Sequence, residues 1–279
     1  MSEPLLCAAF EAARWVAARG ARFAVVATSY DTGFEPLDRQ VKGKLSQLER
    51  AFGPDGWTLW VVDDLPAELG FGDAVRSAAP LDPRLRVVSL PAKPRPGGLK
   101  GRGLVYGLAH ALRDNALGAV AAVNLNLKVH AAFLGPGLRA VLSSAAAAAL
   151  GTRHRREGGR AVGRGLLGEL KSRAFNALTR ALLPPLRGYR DTNAPIKVLS
   201  PGAARVVLQG AKIDGVTLDV EWLLLLLRAG VQPLRFPIAW EQRPGSHPPW
   251  HLAPACARDL LRLRARFVHR HEEVPCSLA

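Results

Sequence analysis

The stretch Trp57-Thr58-Leu59-Trp60-Val61-Val62-Asp63-Asp64 decides the fold. Its aromatic and β-branched residues predict a buried strand, and the strand closes on two carboxylates. Working outward, the same type of run recurs at Arg22–Thr28, Leu85–Leu90 and Ala119–Leu125. Between these runs, apolar residues recur at helical spacing over 4–19, 37–52 and 102–116. A Gly/Pro break at Gly33–Pro36 and a Pro/Gly/Lys loop at 91–101 punctuate the series. Alternating strands and helices predict an α/β fold, with a mostly parallel sheet flanked by helices. Such sheets bind ligands beyond the carboxyl ends of their strands. Three polar clusters fall at those ends: Ser29-Tyr30-Asp31, Asp63-Asp64 and Asn124-Leu125-Asn126.

The second half has a different texture. A loop rich in Gly and Arg is expected over 151–165, then a long helix over 166–183 that Pro184-Pro185 stops. Helices follow at Ala204–Gly210 and Asp219–Ala229, then a strand at Gln232–Trp240 and a proline-rich loop at Arg243–His251. A basic helix over 255–271 closes the chain. Its residues Arg258, Arg262, Arg266 and Arg270 form one stripe, beside Cys256, Leu260, Leu263 and Phe267. Helix 166–183 gathers Leu167, Leu170, Ala174, Leu178 and Ala181 on one face. Helices of this kind pack on a core with a charged back, or lie at an anionic membrane surface. With no internal repeat and no long linker, one domain over 1–247 is expected, with a basic helical tail over 248–279.

Composition narrows the function classes. The chain has 279 residues, 48% of them hydrophobic and 22% charged, which excludes a disordered chain. A net charge of +15 asks for an anionic partner such as nucleotide phosphates, a membrane surface or nucleic acid. Nucleic acid is disfavoured, because aromatic residues are only 6% and no basic stretch interleaves them. Cys7, Cys256 and Cys276 form neither a metal pattern nor a disulfide framework, which suits a reducing cytoplasm. The runs Ala145–Leu150 and Trp222–Leu227 fall far short of the ~18 residues of a spanning helix. A cytoplasmic chain is expected, soluble or peripheral at the inner face of the membrane.

Read in order, the polar motifs resemble those of the inverting glycosyltransferases of family 2, in the branch of the dolichyl-phosphate mannose and glucose synthases. Val61-Val62-Asp63-Asp64 is similar to the family's strand-end Val-Asp-Asp. Lys100-Gly101-Arg102-Gly103 with Tyr106–Ala111 resembles its Lys-Gly-x-Ala segment, and Gly151-Thr152-Arg153 its Gly-Ser-Arg. Ser172–Asn176 followed by Arg190–Lys197 is similar to the stretch ending Asp-Thr-Gln-Cys-Gly-Phe-Lys. Leu218-Asp219-Val220-Glu221 looks like Phe-Asp-Val-Glu, and Phe236–Trp240 with Gly245-Ser246 like the closing Val-Pro-Val-x-Trp…Gly-Ser. The resemblance spans about residues 22–247.

The resemblance implies a GT-A type nucleotide-diphospho-sugar transferase fold and a hexosyltransferase that inverts configuration. The donor would be a nucleotide-sugar, and the acceptor a polyprenyl phosphate or a small molecule. It implies that Ser29, Asp31, Asp63, Asp64, Lys100, Asn124, Arg153 and Lys197 bind the nucleotide-sugar, with Asp63 and Asp64 near the base and ribose and Lys100 and Arg153 on the phosphates. It implies that Asp191, Asp219 and Glu221 are the catalytic carboxylates on the sugar and acceptor side. A phosphate acceptor needs no general base, whereas a hydroxyl acceptor does. The family's metal motif, Asp-x-Asp, is replaced here by Asn124-Leu125-Asn126. Amides coordinate a hard cation without charge, so Asn126 is a weak ligand for Mg2+ or Mn2+. Three outcomes stand open: a weakly held metal, metal-independent transfer with Lys128, Arg153 or Lys197 neutralising the diphosphate, or a non-catalytic sugar-nucleotide-binding protein.

Overall fold

The computed structural model describes residues 3–28, 36–63, 75, 82–90, 100–163, 165–242 and 253–269. A seven-stranded sheet forms the centre, in the order β3-β2-β1-β4-β7-β5-β8. Its strands are β1 (Phe23–Thr28), β2 (Trp57–Asp63), β3 (Leu85–Ser89), β4 (Ala119–Asn124), β5 (Ala148–Thr152), β7 (Ile196–Leu199) and β8 (Leu234–Pro237). A short parallel pair, β6 (Arg160–Val162) with β9 (Ala239–Glu241), stands beside it. The helices are α1 (Glu3–Ala17), α2 (Leu37–Phe52), α3 (Lys100–Ala111), α4 (Leu134–Leu142), α5 (Leu166–Leu182), α6 (Pro201–Gly210), α7 (Leu218–Arg228) and α8 (Ala253–Arg264). The last runs on as a π-helical segment, Ala265–His269.

Strand alternation sorts the core into two layers. Phe23, Val25 and Ala27 of β1 face α1, α2 and α4, while Ala24 and Val26 face α3, α6 and α7. Both faces are covered, so β1 is buried along its whole length and shows no polar alternation.

One strand breaks the parallel rule. β7 lies between β4 and β5 and runs antiparallel to both. The sequence reading assigned it no strand, because a lysine sits in the middle of its four residues. It also missed β5, whose alanines and glycine carry little strand propensity, and α4, whose Gly135-Pro136-Gly137 reads as a break. The expected loop at 151–165 contains the end of β5 and the whole of β6. The expected strand at 232–240 divides at Ile238 into β8 and β9, which serve different sheets. The expected helix at 102–116 begins earlier, at Lys100, and ends at Ala111.

α3 crosses the sheet closely. A Cβ on Gly107 would overlap Val26 Cγ1 and lie 2.7 Å from Val62 Cγ2. Gly107→Ala therefore forces β1, β2 or α3 to shift, and the expected loss is about 1–3 kcal/mol. Urea denaturation checks this: a lower midpoint at unchanged slope is expected.

Candidate functional site

Sheet register brings distant motifs to one edge. β1, β2 and β4 are parallel, and Thr28 lies opposite both Val62 and Asn124. Their carboxyl ends therefore form one rim. β7 runs the other way, so its first residue Ile196 meets Val123, and the turn 191–195 opens onto the same rim. β5 is antiparallel to β7, which puts Arg153, just past its end, on that rim as well.

Beside this rim, five of the residues singled out in the sequence form one cluster. Asp219, in the first turn of α7, is buried between two lysines. Lys100 Nζ donates to its Oδ2 at 2.9 Å, and Lys197 Nζ lies 2.6 Å from its Oδ1. Lys197 also donates to the Ala194 carbonyl at 2.6 Å. Next to this triad, Arg153 grips Asp191. Its Nε and NH2 bond the two carboxylate oxygens at 2.9 and 2.7 Å, and its backbone N–H adds a third bond at 3.0 Å. Arg153 also holds the Asn193 carbonyl at 2.7 Å.

The electrostatics follow from burial and pairing. Burial alone would raise the Asp219 pKa, but the two ammonium ions outweigh it and hold the carboxyl below its ordinary value. Burial drops Lys197 to about 8, against the pull of Asp219, with Lys100 lowering it further. Burial likewise works against the Arg153 charge, and Asp191 more than restores it. Three cations face two carboxylates, so the cluster keeps a surplus of positive charge.

The surroundings explain why the sequence folds this way. A lysine at a helix start opposes the helix dipole, and Asp219 offsets that cost for Lys100. The start of α3 is seated by Gly101 and Arg102, whose N–H groups donate to the Asp214 carbonyl at 2.8 and 3.4 Å. Only glycine fits at 101, since a Cβ would overlap Ile213 O and lie 2.8 Å from Asp214 O. Glu221 does not join the cluster. It accepts from the N–H groups of Lys212 and Ile213 and from Arg266, the last at 2.7 Å. It thus fixes the segment that seats Lys100. Burial raises its pKa even against these donors. On the other side, Asn176 of α5 accepts from Thr192 N and Oγ1 at 3.0 and 2.9 Å and so pins the turn that carries Asp191.

The remaining candidates lie along the rim. Asp63 ends β2, buried, with Ser89 Oγ 3.4 Å from its Oδ2. Asn124 ends β4 and lines a cavity together with Asn126, His130 and Trp240. Asn126 is buried, and its Oδ1 accepts from Lys128 N at 3.3 Å. Ser29, Asp31 and Asp64 lie outside the described residues, as do the loop 91–99 and Gly245-Ser246.

Sequence reasoning missed one residue here. Lys44 of α2 is buried directly behind the turn after β4, and its Nζ donates to the carbonyls of Asn126 and Val129 at 3.1 and 3.3 Å. Burial lowers it to about 8. A lysine on the buried face of an amphipathic helix was the available signal. The neighbouring His130 caps the turn at 131–133 through Nδ1, and burial, aided by Lys44 and Arg50, lowers it to about 4.

The donor set at 124–126 does not fit a divalent cation. Its side chains are neutral amides, and an ammonium already takes the Asn126 carbonyl. Among the described residues, no three His, Cys, Asp or Glu side chains gather as a metal site. No helix among them is long and apolar enough to cross a membrane.

No protein-family model and no curated protein sequence matches the chain. Solved structures do. Glucosyl-3-phosphoglycerate synthase from Mycobacterium tuberculosis, in complex with Mg2+ and uridine diphosphate, aligns with a TM-score of 0.63 at 16% identity over 95% of this chain and 85% of that one. The same enzyme with Mn2+, UDP-glucose and glycerol 3-phosphate aligns at 0.60 and 16%, over 92% and 84%. A further mycobacterial protein aligns at 0.63 and 18%, over 95% and 80%. The chain thus has the α/β fold of these GT-A structures, with a mostly parallel, mixed seven-stranded sheet.

Asp219→Asn tests the cluster. It leaves two buried ammonium ions without their carboxylate, and the expected loss of stability is about 3–5 kcal/mol. A melting temperature equal to that of the unaltered chain would show that the triad is not holding the fold.

Proposed function

We propose that the chain is an inverting glycosyltransferase that moves a sugar from a nucleotide-sugar to an acceptor carrying a phosphate. The observation that carries this reading is the convergence of Lys100, Arg153, Asp191, Lys197 and Asp219 beside the strand-end rim. Surplus positive charge there suits a diphosphate leaving group and an anionic acceptor. In this reading Lys100, Arg153 and Lys197 hold phosphates, while Asp63, Asp64, Ser29 and Asp31 serve the nucleoside. Asp191 and Asp219 bound the sugar side, and Glu221 acts through the segment that it fixes. Residues 1–247 form the catalytic unit, and 248–279 the basic helical tail.

The state of the carboxylates favours a phosphate nucleophile. Asp191 and Asp219 are both locked in ion pairs, and a proton acceptor so engaged is a poor general base. A phosphate oxygen of the acceptor is already anionic. It attacks the anomeric carbon, the bond from that carbon to the diphosphate oxygen breaks, and the nucleoside diphosphate leaves with the electron pair. No proton need move.

The acceptor chemistry also bears on α5, which packs Phe175 and Leu182 on the core but carries further apolar residues on its outward side. Its polar Asn176 and Thr179 are buried, while Leu166, Leu170 and Leu178 are 89%, 64% and 47% exposed. Exposed Arg173 lies on the same outward side, and the adjoining α8 exposes Leu261 and Arg262. Apolar residues set among cations suit an anionic lipid surface. A second copy of a +15 chain would be repelled. The acceptor preferred here is therefore a polyprenyl phosphate presented at such a surface. Vesicles containing phosphatidylglycerol should sediment the chain and phosphatidylcholine vesicles should not, and Leu166→Glu with Leu170→Glu should abolish sedimentation. Dimers in light scattering that the same variant splits would instead assign this face to a second copy.

A second reading keeps the fold and drops the chemistry. Asn124 and Asn126 in place of acids, and carboxylates bound in ion pairs, also describe a protein that binds sugar nucleotides without turnover. Two measurements separate the readings. Thermal shift with UDP, GDP, CDP and dTDP identifies the donor class, since a ligand at 100 times its dissociation constant stabilises by about 2.7 kcal/mol. Arg153→Met should remove most of that shift. Sugar transfer to a polyprenyl phosphate then supports the enzyme, and binding without transfer supports the second reading. No shift with any nucleotide overturns both.

A further inference from the structure

We propose that Lys44 is the resident cation of the turn after β4, and that this turn receives the diphosphate of a nucleotide without a divalent metal ion. The inference rests on the glycosyltransferase reading and deepens it.

Lys44 belongs to the buried face of α2, among Val41, Leu45 and Leu48. Its ammonium has carbonyl partners, Asn126 and Val129, and no carboxylate among the described residues pairs with it. An ammonium ion buried without an anion is costly, and hydrogen-bonded carbonyls offset only part of that cost. Solvent does not screen it, so its field reaches the adjoining cavity, where Asn124, Asn126 and His130 stand. Among the described residues, no acidic side chain lines that cavity.

The consequences for the two kinds of ligand are opposite. A divalent cation entering at Asn124 and Asn126 meets neutral amide oxygens and a positive charge behind them. A diphosphate on the rim above the turn, outside that water-sized cavity, meets a favourable field. Lys44 also draws the Asn126 and Val129 carbonyls inward, which keeps their negative ends off the anion. It acts through the turn and is a positioning residue. The solved structures of similar fold bind UDP together with Mg2+ or Mn2+. Here a side chain supplies positive charge from behind the turn after β4.

Two arms test this. In the first, Mn2+ alone is titrated into the protein and followed by electron paramagnetic resonance. The unaltered chain should show no stoichiometric uptake. The triple variant Lys44→Gln, Asn124→Asp, Asn126→Asp should take up one ion. Stoichiometric uptake by the unaltered chain that Asn126→Ala removes would overturn the proposal. In the second arm, UDP binding is measured by calorimetry in EDTA and in Mn2+, with GDP, CDP or dTDP substituted if thermal shift selects it. The unaltered chain should bind equally in both buffers, within about threefold, and Lys44→Gln should weaken binding in EDTA about tenfold. Glutamine keeps a donor for the carbonyls and removes the charge, so it separates charge from shape. If it fails to fold, Lys44→Met serves the same arm, and the unaltered chain in EDTA against Mn2+ still decides. Affinity that collapses in EDTA would refute the metal-free turn while leaving the glycosyltransferase reading standing. If no nucleoside diphosphate binds in either buffer, that reading falls, and Mn2+ uptake alone judges Lys44.

Discussion

Everything at the candidate site depends on one buried carboxylate. Asp219 sits between Lys100 and Lys197, which come from a helix start and a central strand more than ninety residues apart in the chain. Without it, two ammonium ions would face each other in a dry interior. Each lysine exists where it does because that carboxylate accepts it, and the carboxylate stays ionised because both lysines hold it so. The supports radiate from this point. Gly101 lets the Asp214 carbonyl approach α3, Glu221 ties down Lys212 and Ile213, and Arg266 of the C-terminal helix closes the chain of contacts. A residue near the end of the sequence thereby stiffens a cluster built near its middle.

The fold was legible wherever burial was double-sided and long. β1, β2 and β4 announce themselves as apolar runs, and the strand-end carboxylates mark the rim. What escaped reading was short or chemically mixed. β7 has a lysine at its centre, and nothing local reveals that the ammonium meets a partner twenty-two residues downstream. β8 and β9 read as one strand, because a change of sheet at Ile238 leaves the apolar pattern intact.

The candidate site was legible as a set of residues more than as an arrangement. Motif order named Lys100, Arg153, Asp191, Lys197 and Asp219, and the structure gathers these five. It could not show that both aspartates would be spent on ion pairs, since pairing across such separations is decided by packing. Glu221 stands two residues from Asp219, and on a helix that spacing turns side chains to different faces. Lys44 lay outside every motif. The helix face that carries it is readable from Val41, Leu45 and Leu48, but a lone lysine on that face gives no sign of what its ammonium meets.

The central place of the antiparallel strand also sets an order on how the chain is made. β4 ends at residue 124, and its partner β7 begins at 196. During synthesis the first half of the sheet must wait for about seventy further residues before that edge is covered. Until then, Ala119–Val123, buried in the finished protein, present an open and uncharged strand edge. β5 emerges in the interval but pairs with β7, not with β4. The two halves of the sheet are therefore joined late, when the strand carrying Lys197 arrives between them, and β8 then extends the far edge along β5. Joining the sheet brings Lys197 into place before its carboxylate has been made, and Asp219 neutralises it only when the next helices fold over.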